Sequence, residues 1–256
     1  MTSGADIANW FNTPQGLYIR RWEEDQARRV AVDLFGYYAL QLGMPCLDLL
    51  AASRIPCKKQ VLIHNDACVT DGAGVRCHQG YLPFAANSVD LVVLPHVLEF
   101  SDEPHQVLRE VERVLVPEGV LLLYGFNPFS MWGLWHLGSR RDDFPWSGRL
   151  YTVSRLKDWL SLLGLELDRG VFGCYAPPFR QEQWLKRCQF IEHVGERWWA
   201  FAGSVYLLRA IKRVRGMHLI GTPWCKQPEK AGVLSPAACQ PEAQSLPVVC
   251  ESSQHD

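Results

Sequence analysis

Hydrophobic and polar positions along this chain follow two periods, and the clearest example lies between Gly80 and Gly125. Val89-Asp90-Leu91-Val92-Val93-Leu94 is an almost unbroken apolar, β-branched run, the pattern of a parallel strand covered on both faces. Val107, Leu108, Val111, Val114 and Leu115 then recur at i, i+1, i+4, i+7 and i+8, while Arg109, Glu110, Glu112 and Arg113 occupy the other face. This predicts an amphipathic helix. Ser101 or Asp102 is placed to cap it, and Pro104 falls in its first turn, where a missing N–H is harmless. Pro117-Glu118-Gly119 predicts a turn, and Val120 to Tyr124 a second buried strand. The unit is a βαβ crossover, right-handed on general grounds.

The same reading extends in both directions. Leu17, Trp22, Ala27, Val30, Ala31 and Leu34 predict one or two helices before the sheet, so residues 1–35 are expected to form a helical cap segment. Strands are expected at Tyr37 to Leu42, Gln60 to His64 and, weakly, Gly74 to His78, with a short helix or turn from Leu47 to Ser53. A helix capped by Thr152 should run to Leu163 and close at Gly164, followed by a strand from Leu165 to Phe172. An inserted helix from Arg180 to His193 and a long last strand from Trp198 to Ile211 complete a domain spanning 36–215. Residues 216–256, with prolines at 223, 228, 236, 241 and 247 and little periodicity, read as a disordered tail. The alternation of strand and helix implies an α/β fold with a mainly parallel sheet.

Composition narrows the class. At 256 residues, 48% hydrophobic and 21% charged, the chain has the balance of a globular protein. A net charge of −1 provides no general field to draw nucleic acid or an anionic membrane. No apolar run is long enough to span a bilayer, and the start lacks the features of a signal peptide, so a cytoplasmic protein without stable membrane insertion is expected. Nine scattered cysteines with no CxxC pair argue for reduced thiols. His64, Cys68, Cys77 and His78 have no metal-ligand spacing, and no metal is expected.

Leu82-Pro83-Phe84, Asn87-Ser88-Val89-Asp90-Leu91-Val92, Val97-Leu98-Glu99, Leu108-Arg109-Glu110 and Arg113 to Gly119 occur in the order LPF, SxDLV, VLE, LRExxRVLxPxG. This run resembles the middle and latter half of the class I S-adenosylmethionine-dependent methyltransferases of type 11, and a looser likeness extends from Gly36 to Arg209. The resemblance implies a Rossmann-like class I methyltransferase fold ending in an antiparallel strand, with S-adenosylmethionine as cofactor and the N-terminal segment covering its site. It implies that the loop after the first strand holds the methionine part of the cofactor. Here that loop is Gln41-Leu42-Gly43-Met44-Pro45-Cys46, with one glycine, Gln41 in place of the family's acid, and a proline that fixes φ and removes an N–H. By the same resemblance Asp66 would meet the ribose hydroxyls, Gly80, Tyr81 and Leu82 would flank the adenine, and Pro95, His96 and Val97 would floor the site.

His96 is the sharpest candidate for chemistry. An imidazole at the end of a central strand can accept a proton from an acceptor hydroxyl or amine, or it can be a hydrogen-bonded core or cofactor-contacting residue. Asp90 and Glu99 are expected to fix strand and loop. Gly125 to Leu137, rich in aromatics, reads either as an apolar substrate lid, as a loop packed on the core, or as a membrane- or partner-facing patch. Three functions stand at this point: a methyltransferase for a small, apolar or aromatic acceptor; a non-catalytic relative acting as a binding or regulatory module; and an RNA methyltransferase steered by the basic cluster Lys212, Arg213, Arg215 and His218.

Overall fold

The computed structural model describes residues 9–51, 53–63, 75–134, 148–177 and 199–214. All lie in one compact unit, Met1–Arg215. Its elements are α1 (Pro14–Ala31), β1 (Tyr38–Leu42), β2 (Cys57–Ile63), β3 (Val75–Cys77), β4 (Val89–Pro95), α2 (Pro104–Val114), β5 (Leu115–Phe126), α3 (Val153–Leu162), β6 (Leu165–Gly173) and β7 (Val205–Lys212). The strands form a 7-stranded sheet in the order β3-β2-β1-β4-β5-β7-β6. β1 to β5 pair in parallel, and β7 runs antiparallel to both β5 and β6.

Alternation along the central strands explains why the sheet is covered twice. Leu40, Val92, Leu94, Leu121, Leu123 and Leu208 point into one core with Val107, Leu108, Val111 and Val114 of α2 and Leu156 and Leu160 of α3. Ala39, Leu91, Val93, Leu122, Tyr124 and Leu207 point into a second core with Ile19, Ala27 and Val30 of α1 and Leu47, Leu49 and Leu50 of the β1–β2 connection. Each fully buried Val or Leu side chain contributes about 1.5–3 kcal/mol, so both layers are integral to the fold. Asp90, the one charged residue in β4, faces the strand's beginning, where its Oδ2 accepts from the Tyr37 and Tyr38 N–H groups at 2.8 and 2.9 Å.

Several local expectations change. Thr13 caps α1, accepting from Gly16 N at 3.2 Å, and Thr152 caps α3, accepting from Arg155 N at 3.3 Å. At α2, however, the cap is Glu103 through its backbone; the Ser101 hydroxyl instead accepts from Glu103 N at 3.2 Å. The expected turn at Pro117 to Gly119 is absorbed into β5. Val89 pairs with Leu115 and Leu91 with Val120, so the extra residues form a bulge in which Glu118 takes a positive φ of 64°. Of the helix or turn expected from Leu47 to Ser53 a turn forms, closed by Ser53 N donating to Leu50 O at 3.0 Å, and the last strand starts at Val205 because Ala200–Ala202 is a single 3-10 turn. The expected helix from Arg180 to His193 and the tail lie outside the described residues.

Candidate cofactor and acceptor site

The strand order reverses between β1 and β4, and the crevice beyond their carboxyl ends is where open α/β sheets place ligands. On the β1 side stands the turn after Leu42. Gly43 and Met44 both take left-handed backbone, with φ of 71° and 47°. A glycine satisfies that geometry at no cost; the methionine does not.

Gln41 explains how the turn is held. Its side chain is fully buried. Nε2 donates to the carbonyls of Leu47 (2.6 Å) and Met44 (3.2 Å), with a longer contact to Gly43 O (3.4 Å), while Oε1 accepts from Leu49 N at 3.2 Å. Three carbonyl oxygens thus converge on one NH₂ group. A carboxylate in this place would set negative charge against them, so glutamine is the residue this loop conformation requires.

On the β4 side, His96 has a positive φ of 52° and no exposed surface. Nε2 lies 2.6 Å from Glu23 Oε1 of α1, and Nδ1 lies 3.1 Å from Glu99 Oε2. The ring stacks on Phe126, with centroids 4.2 Å apart at 26°. Glu99 also accepts from the Phe126 N–H, which joins the segment after β4 to the end of β5. Burial disfavours the imidazolium, but attraction to Glu23 and Glu99 and the two hydrogen bonds outweigh it and push the His96 pKa up to about 10. Burial in turn raises Glu99 above the usual carboxylate range. Glu23 Oε2 and the Tyr124 hydroxyl are buried there without a hydrogen-bond partner. Both ring nitrogens are thus engaged by carboxylates, and through Glu23 the ring joins α1 to the end of β4.

The remaining expected residues are spread along the same edge. Pro95 ends β4 beside Tyr124, and Val97 is 3% exposed. Gly80 and Leu82 are buried, whereas Tyr81 is 69% exposed with its ring 5.8 Å from that of His78. The motif residues around Leu82 have a structural reason: Leu82 N donates to Glu110 Oε2 at 2.9 Å, and the Arg113 guanidinium donates to the carbonyls of Leu82 and Phe84 at 3.0 and 2.9 Å. The same guanidinium holds the Glu110 carboxyl below its usual range. Asp66 and His64 lie outside the described residues.

The aromatic stretch after β5 divides. Trp132 is 1% exposed and donates from Nε1 to Ala176 O at 2.7 Å, so it belongs to the core, while Phe129, Met131 and Leu134 are exposed; Trp135 to Leu137 lie outside the described residues. The two described members of the basic cluster have partners within the chain. Lys212 donates to Asn87 Oδ1, Glu112 O and Leu115 O at 3.0, 2.6 and 2.9 Å, and Arg213 pairs with Glu118 and Glu166. Arg215 and His218 lie outside the described residues. Sequence reading missed Glu23 as a site residue. Its signal was a carboxylate on the apolar stripe of α1, four residues from both Ile19 and Ala27.

Comparisons with known proteins agree with this geometry. Residues 56–123 match the family model of the methyltransferase domain. The uncharacterized Escherichia coli protein YafS is 34% identical over 161 residues, 62% of this chain and 65% of that protein, so the chain spans just under two thirds of this curated relative. Among solved structures, a Thermotoga maritima protein described as a "SAM-dependent methyltransferase, possible histamine N-methyltransferase" superposes with a TM-score of 0.59 at 18% identity, covering 82% of this chain and 95% of its own. A chain from the complex of the Haloferax volcanii Trm112 methyltransferase activator with a methyltransferase reaches 0.57 at 16% identity, over 85% and 100%. Residues 56–123 thus match the methyltransferase-domain model, and the sheet around them has the Rossmann-like fold seen in those solved methyltransferase structures.

Proposed function

We propose that this protein is an S-adenosylmethionine-dependent methyltransferase acting on a small-molecule acceptor. The observation that carries the reading is the β1–β4 switch-point crevice, which has the left-handed turn at Gly43 on one side and the Pro95-His96-Val97 segment on the other. The residues present fit the cofactor in outline. The Gly43–Met44 turn would hold the methionine part, exposed Tyr81 with Gly80 and Leu82 would flank the adenine, and Asp66 would meet the ribose.

When bound, the cofactor would supply an electrophilic sulfonium methyl, whose carbon the acceptor's nucleophile would take in line as the C–S bond breaks and the neutral thioether leaves. The chain's own contribution is orientation and exclusion of water, which can supply much of such a barrier reduction without a fixed catalytic triad. Glu23, His96 and Glu99 would fix α1 over the crevice. The exposed apolar side chains Phe129, Met131 and Leu134 would meet an apolar or aromatic acceptor.

A second reading is favoured by one feature. The amide of Gln41 already engages the turn carbonyls, and Met44-Pro45-Cys46 replaces the family's glycines. A non-catalytic relative that keeps the sheet and uses it for binding would look this way. Calorimetric titration with S-adenosylmethionine and its demethylated product separates the two. Binding at about micromolar Kd, lost in Asp66→Ala, supports the enzyme, and absence of binding at about millimolar ligand supports the second reading.

A further inference from the structure

Alongside the segment that follows Glu99, a groove of about 660 Å³ opens between the first turns of α2 and the segment that leads into α3. Its volume is within the range of small-molecule sites, roughly 300–1,000 Å³. Arg109 of α2, Arg149 and Arg155 line it, and all three are exposed. None of them has a carboxylate partner among the described residues, unlike Arg20, Arg29, Arg113, Arg209 and Arg213.

Arg155 is held by an aromatic floor instead. Its guanidinium carbon stands 5.1 Å from the Trp159 ring centroid and 5.8 Å from that of Tyr151, and both rings are nearly buried. The His105 ring closes on Trp159 with centroids 4.0 Å apart. The stacking presets the planar fork of Arg155 and leaves its N–H donors free. Three unpaired guanidiniums on a chain of net charge −1 are a local concentration of anion-binding chemistry. Guanidinium donors match phosphate oxygens two at a time.

We propose that this groove binds a small phosphate-bearing molecule, with Arg109, Arg149 and Arg155 as its phosphate ligands. Two further features fit a small ligand better than a nucleic-acid strand. Asp102 and Glu103, both exposed, stand on the groove wall and would repel a phosphodiester backbone continuing past it. Of the residues that could have extended a basic track, Lys212 is taken up by buried partners and Arg213 is paired at the surface with Glu118 and Glu166. The inference does not depend on methyl transfer, and its test is read independently of cofactor binding.

The experiment is calorimetric titration of the full chain with inorganic pyrophosphate, followed by Arg109→Gln, Arg149→Gln and Arg155→Gln. Lys157→Gln serves as a charge-matched control, since Lys157 is exposed on α3 but does not line the groove. Pyrophosphate should bind with a submillimolar Kd, each arginine variant should weaken it about tenfold, and Lys157→Gln should leave it unchanged. Melting curves matching the parent show that each variant is folded. No binding at about 10 mM pyrophosphate, an equal loss in Lys157→Gln, or binding of single-stranded RNA that pyrophosphate fails to displace would each overturn the proposal.

Discussion

At the residue scale, Gln41 shows how one atom's chemistry selects a loop. The buried NH₂ group faces three carbonyls, and the Leu49 N–H faces the side-chain oxygen. Gln41→Glu changes no volume but replaces the donor by a charge. It should destabilise the fold by about 3–5 kcal/mol near neutral pH, the usual cost of a buried unpaired charge. The introduced carboxyl would have its folded pKa raised above its unfolded value. The penalty should therefore be small in acid, where the protonated group can still donate, and grow as pH rises through the carboxylate range. Urea unfolding at about pH 4 and about pH 7 measures the difference, and a penalty equal at both would contradict this account. The same loop explains why the likeness at Gln41 to Cys46 is imperfect while the fold is intact: this turn is closed by an amide against carbonyl oxygens.

At the scale of elements, what could be read from the chain followed the strength of local pattern. β4 carries an almost unbroken apolar run, expected over Val89 to Leu94 and found over Val89–Pro95, and α2 forms over Pro104–Val114 where the 3.6-residue stripe lies, with Leu115 passing to β5. The turn at Pro117 to Gly119 has strong turn residues, yet pairing of Leu115 with Val89 draws it into β5, a tertiary effect that local chemistry does not reveal. Glu23 was hidden because a glutamate in an amphipathic helix is normally solvated, and its partner His96 lies 73 residues away. Trp132 was ambiguous for the opposite reason, since an aromatic in an irregular stretch suits lid and core equally. The structure buries it in the core that also holds Tyr124, Phe126 and the apolar face of α1. Trp132→Ala should accordingly cost about 3–5 kcal/mol in unfolding free energy, whereas Phe129→Ala, at 69% exposure, should stay within about 0.5 kcal/mol. Thermal melts of the two variants check this, and their order should not reverse.

For the whole molecule, the Glu23–His96–Glu99 cluster ties the α1 layer to the sheet, so its protonation state enters global stability. The folded pKa of His96, about 10, stands above its ordinary value of 6.5. The native state therefore retains a proton that the unfolded chain has released. The resulting stabilisation is fully present below about pH 6.5 and is lost as pH rises through about 10. Glu99, also raised, acts with the same sign at lower pH, since its protonated form is favoured in the fold. Tyr124 and Cys174 face Glu23 within the same core, and burial followed by that carboxylate pushes both well up, which keeps them neutral across this window. Glu23→Gln retains an acceptor for Nε2–H but removes one of the two charges that hold the proton. It should cost about 1.5–3 kcal/mol near pH 7, the range for a charged hydrogen bond, and should lower the folded pKa of His96. Stability of the parent chain should then fall more steeply between about pH 7 and 10 than that of the variant, and the two curves should converge at the alkaline end. Urea unfolding across that range, with the imidazole N–H resonances followed by NMR, measures both quantities at once. Parallel stability curves, or an imidazole that loses its proton near its ordinary value, would mean that α1 is held on the sheet by packing alone.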